Sequence, residues 1–150
     1  MRSAPAIAIS LWLGAMAFFA FAVAPAAFGT LDREAAGRFV SAVFPRYYLV
    51  GAALGAIALA AGAARAVLAG WRGVDGVGLA LVALMLALTL YAWVLVLPEA
   101  HAAREAMRAP GADAGTAARF ARLHRVSGAL NGTVMLAGAI ALALEVTRRP

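Results

Sequence analysis

The chain has 150 residues, of which 65% are hydrophobic and only 13% charged, with a formal net charge of +6 and no cysteine. A typical soluble domain carries about 25% charged residues, so this chain is short of the polar side chains that a water-exposed surface needs. The missing cysteine excludes disulfides, thiolate metal sites and thiol nucleophiles. All thirteen basic residues are arginines, and with no glycine-rich phosphate loop or aromatic platform beside them they suit anionic lipid headgroups, not nucleic acid.

Charge-free runs cover residues 3–31, 47–64, 76–98 and 126–144. A membrane span needs roughly 20 apolar residues at about 1.5 Å each. An arginine at mid-bilayer costs about 2.5–3.5 kcal/mol, whereas a leucine returns about 0.3–0.6, so a span tolerates hardly any charge. The expected architecture is therefore all-α: one polytopic membrane domain over residues 1–150, with four spans near 6–28, 46–68, 77–97 and 126–146. Arg46 and Arg65 sit at the ends of the second span, where they can snorkel. Trp12, Tyr47, Tyr48, Trp71 and Trp93 lie near run ends, as interfacial rings do.

Met1 and Arg2 precede an apolar run in which Ala22-Val23-Ala24 resembles a signal-peptidase site. The run continues well past the usual 7–15-residue signal core, so it reads as a retained first span. Pro25 falls in its last turn. Residues 30–44 read as an amphipathic helix lying at the interface. Thr30 is its expected N-cap, and Asp32 and Glu34 stand where the helix dipole favours acids. Ala35, Ala36, Phe39, Val40 and Val43 form its apolar side, and Pro45 is expected to end it and open the second span. The connection 70–76, Gly-Trp-Arg-Gly-Val-Asp-Gly, is short and glycine-rich, as an antiparallel hairpin requires.

The third span ends at Pro98. Its connection to the fourth is broken at Pro110-Gly111, with helical halves at Glu99–Ala109 and Ala117–Arg125. Gly51-x-x-x-Gly55 and Gly128-x-x-x-Gly132 are small-residue motifs of the kind that lets helices pack closely. Each half of the chain reads span, proline, amphipathic connection, arginine, small-residue span, which suggests a tandem duplication. The first and third connections carry eight arginines against five on the other side. That bias places those connections in the cytoplasm and both termini outside.

Polar residues converge on the segment from Phe120 to Asn131. At 100° per residue, Phe120, His124, Ser127 and Asn131 share one helix face, extended by Met135, Gly138 and Glu145. Asn131 lies about 9 Å beyond Arg125 along the axis, inside the hydrocarbon, where an amide must face a partner helix. His124, Ser127 and Asn131, set against Arg46 and Tyr48, form either packing contacts or a small polar pocket. His101, His124 and Met135 are the thin candidates for a haem or soft-metal site, Met16 and Met85 being the other span methionines. Ser127 beside His124 has no acid within reach, because Glu145 is about 27 Å along the helix. No enzyme, and no cofactor, is expected.

These blocks resemble a known family. Leu31-Asp-Arg33 with Gly37, Phe44-Pro45-Arg-Tyr47-Tyr48, Pro98, Phe120…His124…Ser127…Asn131 and Leu142-Ala-Leu144-Glu145-Val are similar, in order, to the family around human transmembrane protein 205. Its bacterial members carry domain of unknown function 4149. The resemblance implies a four-span membrane protein, here in a bacterial cytoplasmic membrane. The animal member is associated with resistance to platinum drugs and with vesicle traffic, which implies tolerance of a metal or xenobiotic. The chain lacks the cysteines and the longer third connection of that member.

Three function classes follow: transport or tolerance of a small solute, metal or xenobiotic by an oligomer in the lipid bilayer; a haem- or copper-binding module; and a structural or assembly protein whose glycine faces are its working surface.

Overall fold

A computed structural model describes residues 3–71 and 73–147. Four helices are each long and apolar enough to cross a membrane: α1 (Ala4–Thr30), α2 (Arg33–Ala69), α3 (Asp75–Ala106, with one helical turn begun at Gly73) and α4 (Ala114–Val146). No strand occurs among the described residues. Each helix packs beside the next, and α4 closes the ring on α1, so α2 faces α4 across a diagonal.

The helix starts are set by two aspartates. Asp32 Oδ1 accepts the backbone N–H groups of Glu34 at 2.9 Å and Ala35 at 2.8 Å. Asp113 Oδ1 accepts the Thr116 N–H at 2.9 Å and its hydroxyl at 2.8 Å. Such caps satisfy donors that have no partner within the helix. Asp32, not Thr30, is therefore the N-cap of α2. Thr30 is the last residue of α1, and its hydroxyl donates to the Ala26 carbonyl at 2.7 Å. The hairpin ends use Gly70 and Gly111, whose φ values of 84° and 85° belong to the left-handed region that glycine enters without strain.

The prolines behave in two ways. Pro25 and Pro98 each follow a π-helical turn, Phe19–Val23 and Ala92–Val96. Proline has no N–H and its ring crowds the preceding turn. A wider turn relieves both problems, and the helix continues beyond it. Pro45, expected to stop a separate interfacial helix, instead lies inside α2. Its ring is exposed, while Ala36, Gly37 and Val40 before it and Tyr48 and Gly51 after it are all buried. Packing on both sides thus carries the helix through the lost hydrogen bond. The amphipathic segments of the first and third connections are likewise continuous with spans: residues 33–44 with α2, residues 99–106 with α3, and residues 117–125 with α4.

The core is held by small residues facing large ones. Trp12, expected near the interface, is only 2% exposed and lies over Gly51 and Gly55. A Cβ at Gly51 would come within 2.8 Å of the indole Nε1, and one at Gly55 within 2.8 Å of its Cζ3. The stripe continues through Ala58, Gly62 and Ala66 on the same face. Gly138 on α4 plays the same part, making room for Leu13 and Met85. In hydrocarbon, helices associate by such close contact, because burying apolar surface gains nothing over lipid. The outer surface is apolar to match, with Leu11, Phe21, Leu68 and Leu136 all more than half exposed.

Candidate functional site

Polar groups gather at three levels along the bundle, and the middle one lies on the diagonal between α2 and α4. Tyr47 donates its hydroxyl to Asn131 Oδ1 at 2.8 Å, and the Asn131 amide donates to the Ser127 carbonyl at 3.1 Å. The hydroxyls of Tyr48 and Ser127 are 3.5 Å apart, the outer limit of a hydrogen bond. Phe19, Phe44, Tyr47 and Tyr48 pack ring to ring around this seam, with centroids 5.1–6.1 Å apart. Asn131, Ser127 and Tyr48 are therefore brought together, and Tyr47 is the partner that the sequence pattern did not single out.

The other expected members lie apart from the seam. Arg46 is exposed and donates to the Ala42 carbonyl of its own helix at 3.3 Å. His124 is exposed on α4, its ring stacked on Phe120 with centroids 6.3 Å apart. Met135 packs against the core around Trp12 and Val134. Gly128 and Gly132 face open space, so only the Gly51 and Gly55 motif packs within the chain. Among the described residues, no group of three or more His, Asp or Glu side chains is placed to hold a metal ion.

The second level is a buried charge cluster. Arg65 on α2 makes two hydrogen bonds to Glu145 on α4, Nη1 to Oε2 and Nη2 to Oε1, the latter at 3.0 Å. Its Nη2 is also 3.4 Å from Asp75 Oδ1, at the start of α3. The three side chains are 14%, 7% and 6% exposed, in the order Arg65, Glu145, Asp75. Arg65 does not snorkel into open headgroups. It bridges three helices, and a two-pronged arginine–carboxylate pair is the geometry that best offsets the desolvation of both charges.

The third level is a cleft between the start of α2 and the end of α3, with a volume of about 160 Å³. It is lined by Arg38, Ser41, His101, Arg104, Glu105 and Arg108. Arg104 Nη1 donates to the Gly37 carbonyl and, at 2.6 Å, to Ser41 Oγ. Gly37 makes room for this contact, because a Cβ on it would displace the Arg104 guanidinium. Glu34 pairs with Arg38 at 2.6 Å and with Arg108 at 3.7 Å. Arg104 has no carboxylate partner among the described residues. His101 Nε2 is buried and makes no hydrogen bond within the described structure. Buried polar nitrogens are nearly always satisfied, so this one sets His101 apart from the other residues that line the cleft.

The cleft has a signal in the sequence. Glu34, Gly37, Arg38 and Ser41 stand at i, i+3, i+4 and i+7, and so do His101, Arg104, Glu105 and Arg108. Residues so spaced share one helix face. Two such polar faces, each next to a span, are the signal.

Four long apolar helices with polar groups collected inside the bundle and at its ends define a polytopic membrane protein of the all-α class. The chain belongs to the family of domain of unknown function 4149 (DUF4149), whose model matches residues 7–109. It is also 33% identical over 128 residues to an uncharacterized protein of Aquifex aeolicus (strain VF5), an alignment covering 85% of this chain and 83% of that one. No solved structure matches the chain. Every residue lining the cleft falls within the matched region, whereas Ser127, Asn131 and Glu145 lie beyond it.

Proposed function

We propose that the protein is a non-enzymatic membrane protein that binds a small solute at one membrane face and serves its transport or tolerance. The observation that carries this reading is the cleft, with the orphan His101 Nε2 and the carboxylate-free Arg104 side by side. Sites for small ligands are concave and carry a few placed polar groups. The arginine bias favours the cytoplasmic side of a bacterial inner membrane for the cleft. The resemblance to the transmembrane protein 205 family supports a role in tolerance. The chain is small for a transporter acting alone, so transport calls for a homo-oligomer or a membrane partner.

The test is growth of a deletion strain against a panel of metals, organic cations and anions. Wild-type protein is expected to restore tolerance to one class, and His101→Ala is expected to fail while still accumulating in the membrane. Equal rescue by both proteins would sink the reading, and crosslinking in native membranes that finds only monomers would remove its oligomeric part.

A second reading, that of an assembly protein, is favoured by Gly128 and Gly132, which face outward and leave a shallow small-residue face on α4. On this reading Gly128→Leu breaks a complex, while His101→Ala leaves function intact. The haem or copper reading has less support, since His101, His124 and Met135 occupy a cleft, an exposed helix face and the core respectively.

A further inference from the structure

We infer that the cleft between α2 and α3 binds a phosphate group, held by Arg104, Arg108 and the ring of His101. The assignment rests on the solute-binding reading of the same cleft and names its ligand class.

The charge balance comes first. Three guanidinium groups line or edge the cleft, and the Glu34 carboxylate is taken by Arg38 and Arg108. Glu105 lines the cleft but forms no ion pair with Arg104 among the described residues. Arg104 is half-buried, and its two acceptors, a backbone carbonyl and a hydroxyl, are neutral. Its Nη1 makes both hydrogen bonds and its Nη2 lies against Gly37, which leaves the Nε N–H as the donor to offer. A half-buried cation with neutral partners is stabilised by an incoming anion more than by any neutral solute.

Shape and chemistry then narrow the anion. Guanidinium groups present donors in a fixed fork that matches the oxygens of a phosphate. Arg108 lies two residues beyond the helix end at Ala106, and it lines the same cleft as Arg104. Ser41 Oγ already accepts from Arg104 while donating to the Gly37 carbonyl at 2.8 Å, which holds the guanidinium in place before any ligand arrives. A cavity of about 160 Å³ admits one such group with its first ester substituent.

Depth in the bilayer is the third argument. Arg46 and Arg65 are separated by about 28 Å of helix, close to the roughly 30 Å thickness of the hydrocarbon core. Ser41 and Arg38 lie about 8–12 Å further out along α2, at the level of the lipid phosphates. The phosphate could therefore belong to an anionic lipid headgroup or to a free phosphate in the adjoining water.

Purified protein in a neutral maltoside detergent separates the two sources. Native mass spectrometry measures retention of phosphatidylglycerol against phosphatidylcholine, and calorimetry measures binding of inorganic phosphate to delipidated protein. Preferential retention of phosphatidylglycerol, lowered about tenfold by Arg108→Gln and by Arg104→Gln, is expected if the source is lipid. Binding of inorganic phosphate with the same sensitivity assigns the free anion. Arg122→Gln, an exposed arginine outside the cleft, is the control and is expected to change neither. Because Arg104 also ties α2 to α3, Arg108→Gln and His101→Gln on folded protein keep the test decisive. Equal retention of both lipids together with no phosphate binding overturns the assignment, and so does an Arg122→Gln effect as large as that of Arg108→Gln. If thermal stabilisation by a neutral or cationic solute is lost in His101→Gln, the phosphate assignment falls while the solute-binding reading stands. If no solute or lipid stabilises the protein, both fall.

Discussion

At one end of the bundle Arg65 meets two carboxylates from two other helices; at the other, Arg104 meets a carbonyl and a hydroxyl. Both arginines are partly withdrawn from water and both connect helices that are distant in sequence. The first arrangement is closed around the arginine, since its positive charge is met by carboxylates inside the protein. The second is open, since Arg104 makes no ion pair among the described residues and Glu34 acts on it only from a distance. The same residue type thus serves as a fastener in one place and as a receptor in the other. What distinguishes the two is the partner set, not the burial of the arginine.

The largest effect is expected at the closed end. Glu145→Ala leaves Arg65 buried with Asp75 alone, and should destabilise the protein by about 3 kcal/mol. Unfolding in mixed detergent micelles, followed by circular dichroism, measures it. Replacing Arg65, Asp75 and Glu145 together by apolar residues of similar size should recover part of that loss, because all three charges of the cluster leave at once. If the triple variant is no better than the single one, the closed description is wrong.

At the open end, Gly37→Ala puts a Cβ where the Arg104 guanidinium lies, and should cost about 1–3 kcal/mol as the side chain is expelled. Gly128→Ala is its counterpart: it meets open space and should be neutral or slightly stabilising, since alanine favours helix over glycine by up to about 1 kcal/mol. Thermal unfolding of the two variants in parallel separates a glycine that makes room for a side chain from one that does not. Between the ends, Tyr47→Phe removes the donor to Asn131 and should cost about 1 kcal/mol. Tyr48→Phe should cost less, because its contact with Ser127 is already at 3.5 Å.

The smallest effect is a pH dependence at the caps. Backbone N–H groups, chiefly that of Ala35 for Asp32 and that of Thr116 for Asp113, hold both carboxyls below the usual carboxylate range. A pKa depressed in the folded state contributes stability that is complete above the unfolded value and is lost as pH falls through the folded one. Acid titration of stability should therefore be shallower in Asp32→Asn than in the parent, with both curves flat above pH of about 5.

Much of the architecture was legible because a bilayer imposes a coarse rule on sequence. Charge-free runs of sufficient length marked all four helices, and the Pro110-Gly111 break marked the end of α3. Pro45 was misread because a proline's cost can be overridden by packing on either side of it, which is visible only in three dimensions. Trp12 was misread for a related reason: its place near a run end suits an interfacial ring, but Gly51 and Gly55, about 40 residues further on, supply a slot that only the folded bundle reveals. Asn131 was expected against Arg46 and Tyr48, since an amide in hydrocarbon must find a partner, and the partner it meets is the neighbouring Tyr47. Arg65 and Glu145 stand at the ends of their spans, where each alone looks like an ordinary boundary charge, and nothing local pairs them. His124 shares a helix face with Asn131 by spacing, but it is exposed and its ring meets only Phe120 of its own helix among the described ring contacts.

The two wide turns before Pro25 and Pro98 bear on insertions and deletions. Each holds one residue more than an α-helical path would need, so all that follows is rotated by about 100° relative to an uninterrupted helix. In most helices a single-residue deletion scrambles the faces downstream and is poorly tolerated. Here a deletion within Ala92–Val96 would convert the wide turn to an ordinary one, return the proline's clash, and swing His101 and Arg104 away from α2 together. The extra residue is thus part of the address of the cleft, although it lies several residues from any side chain that lines it.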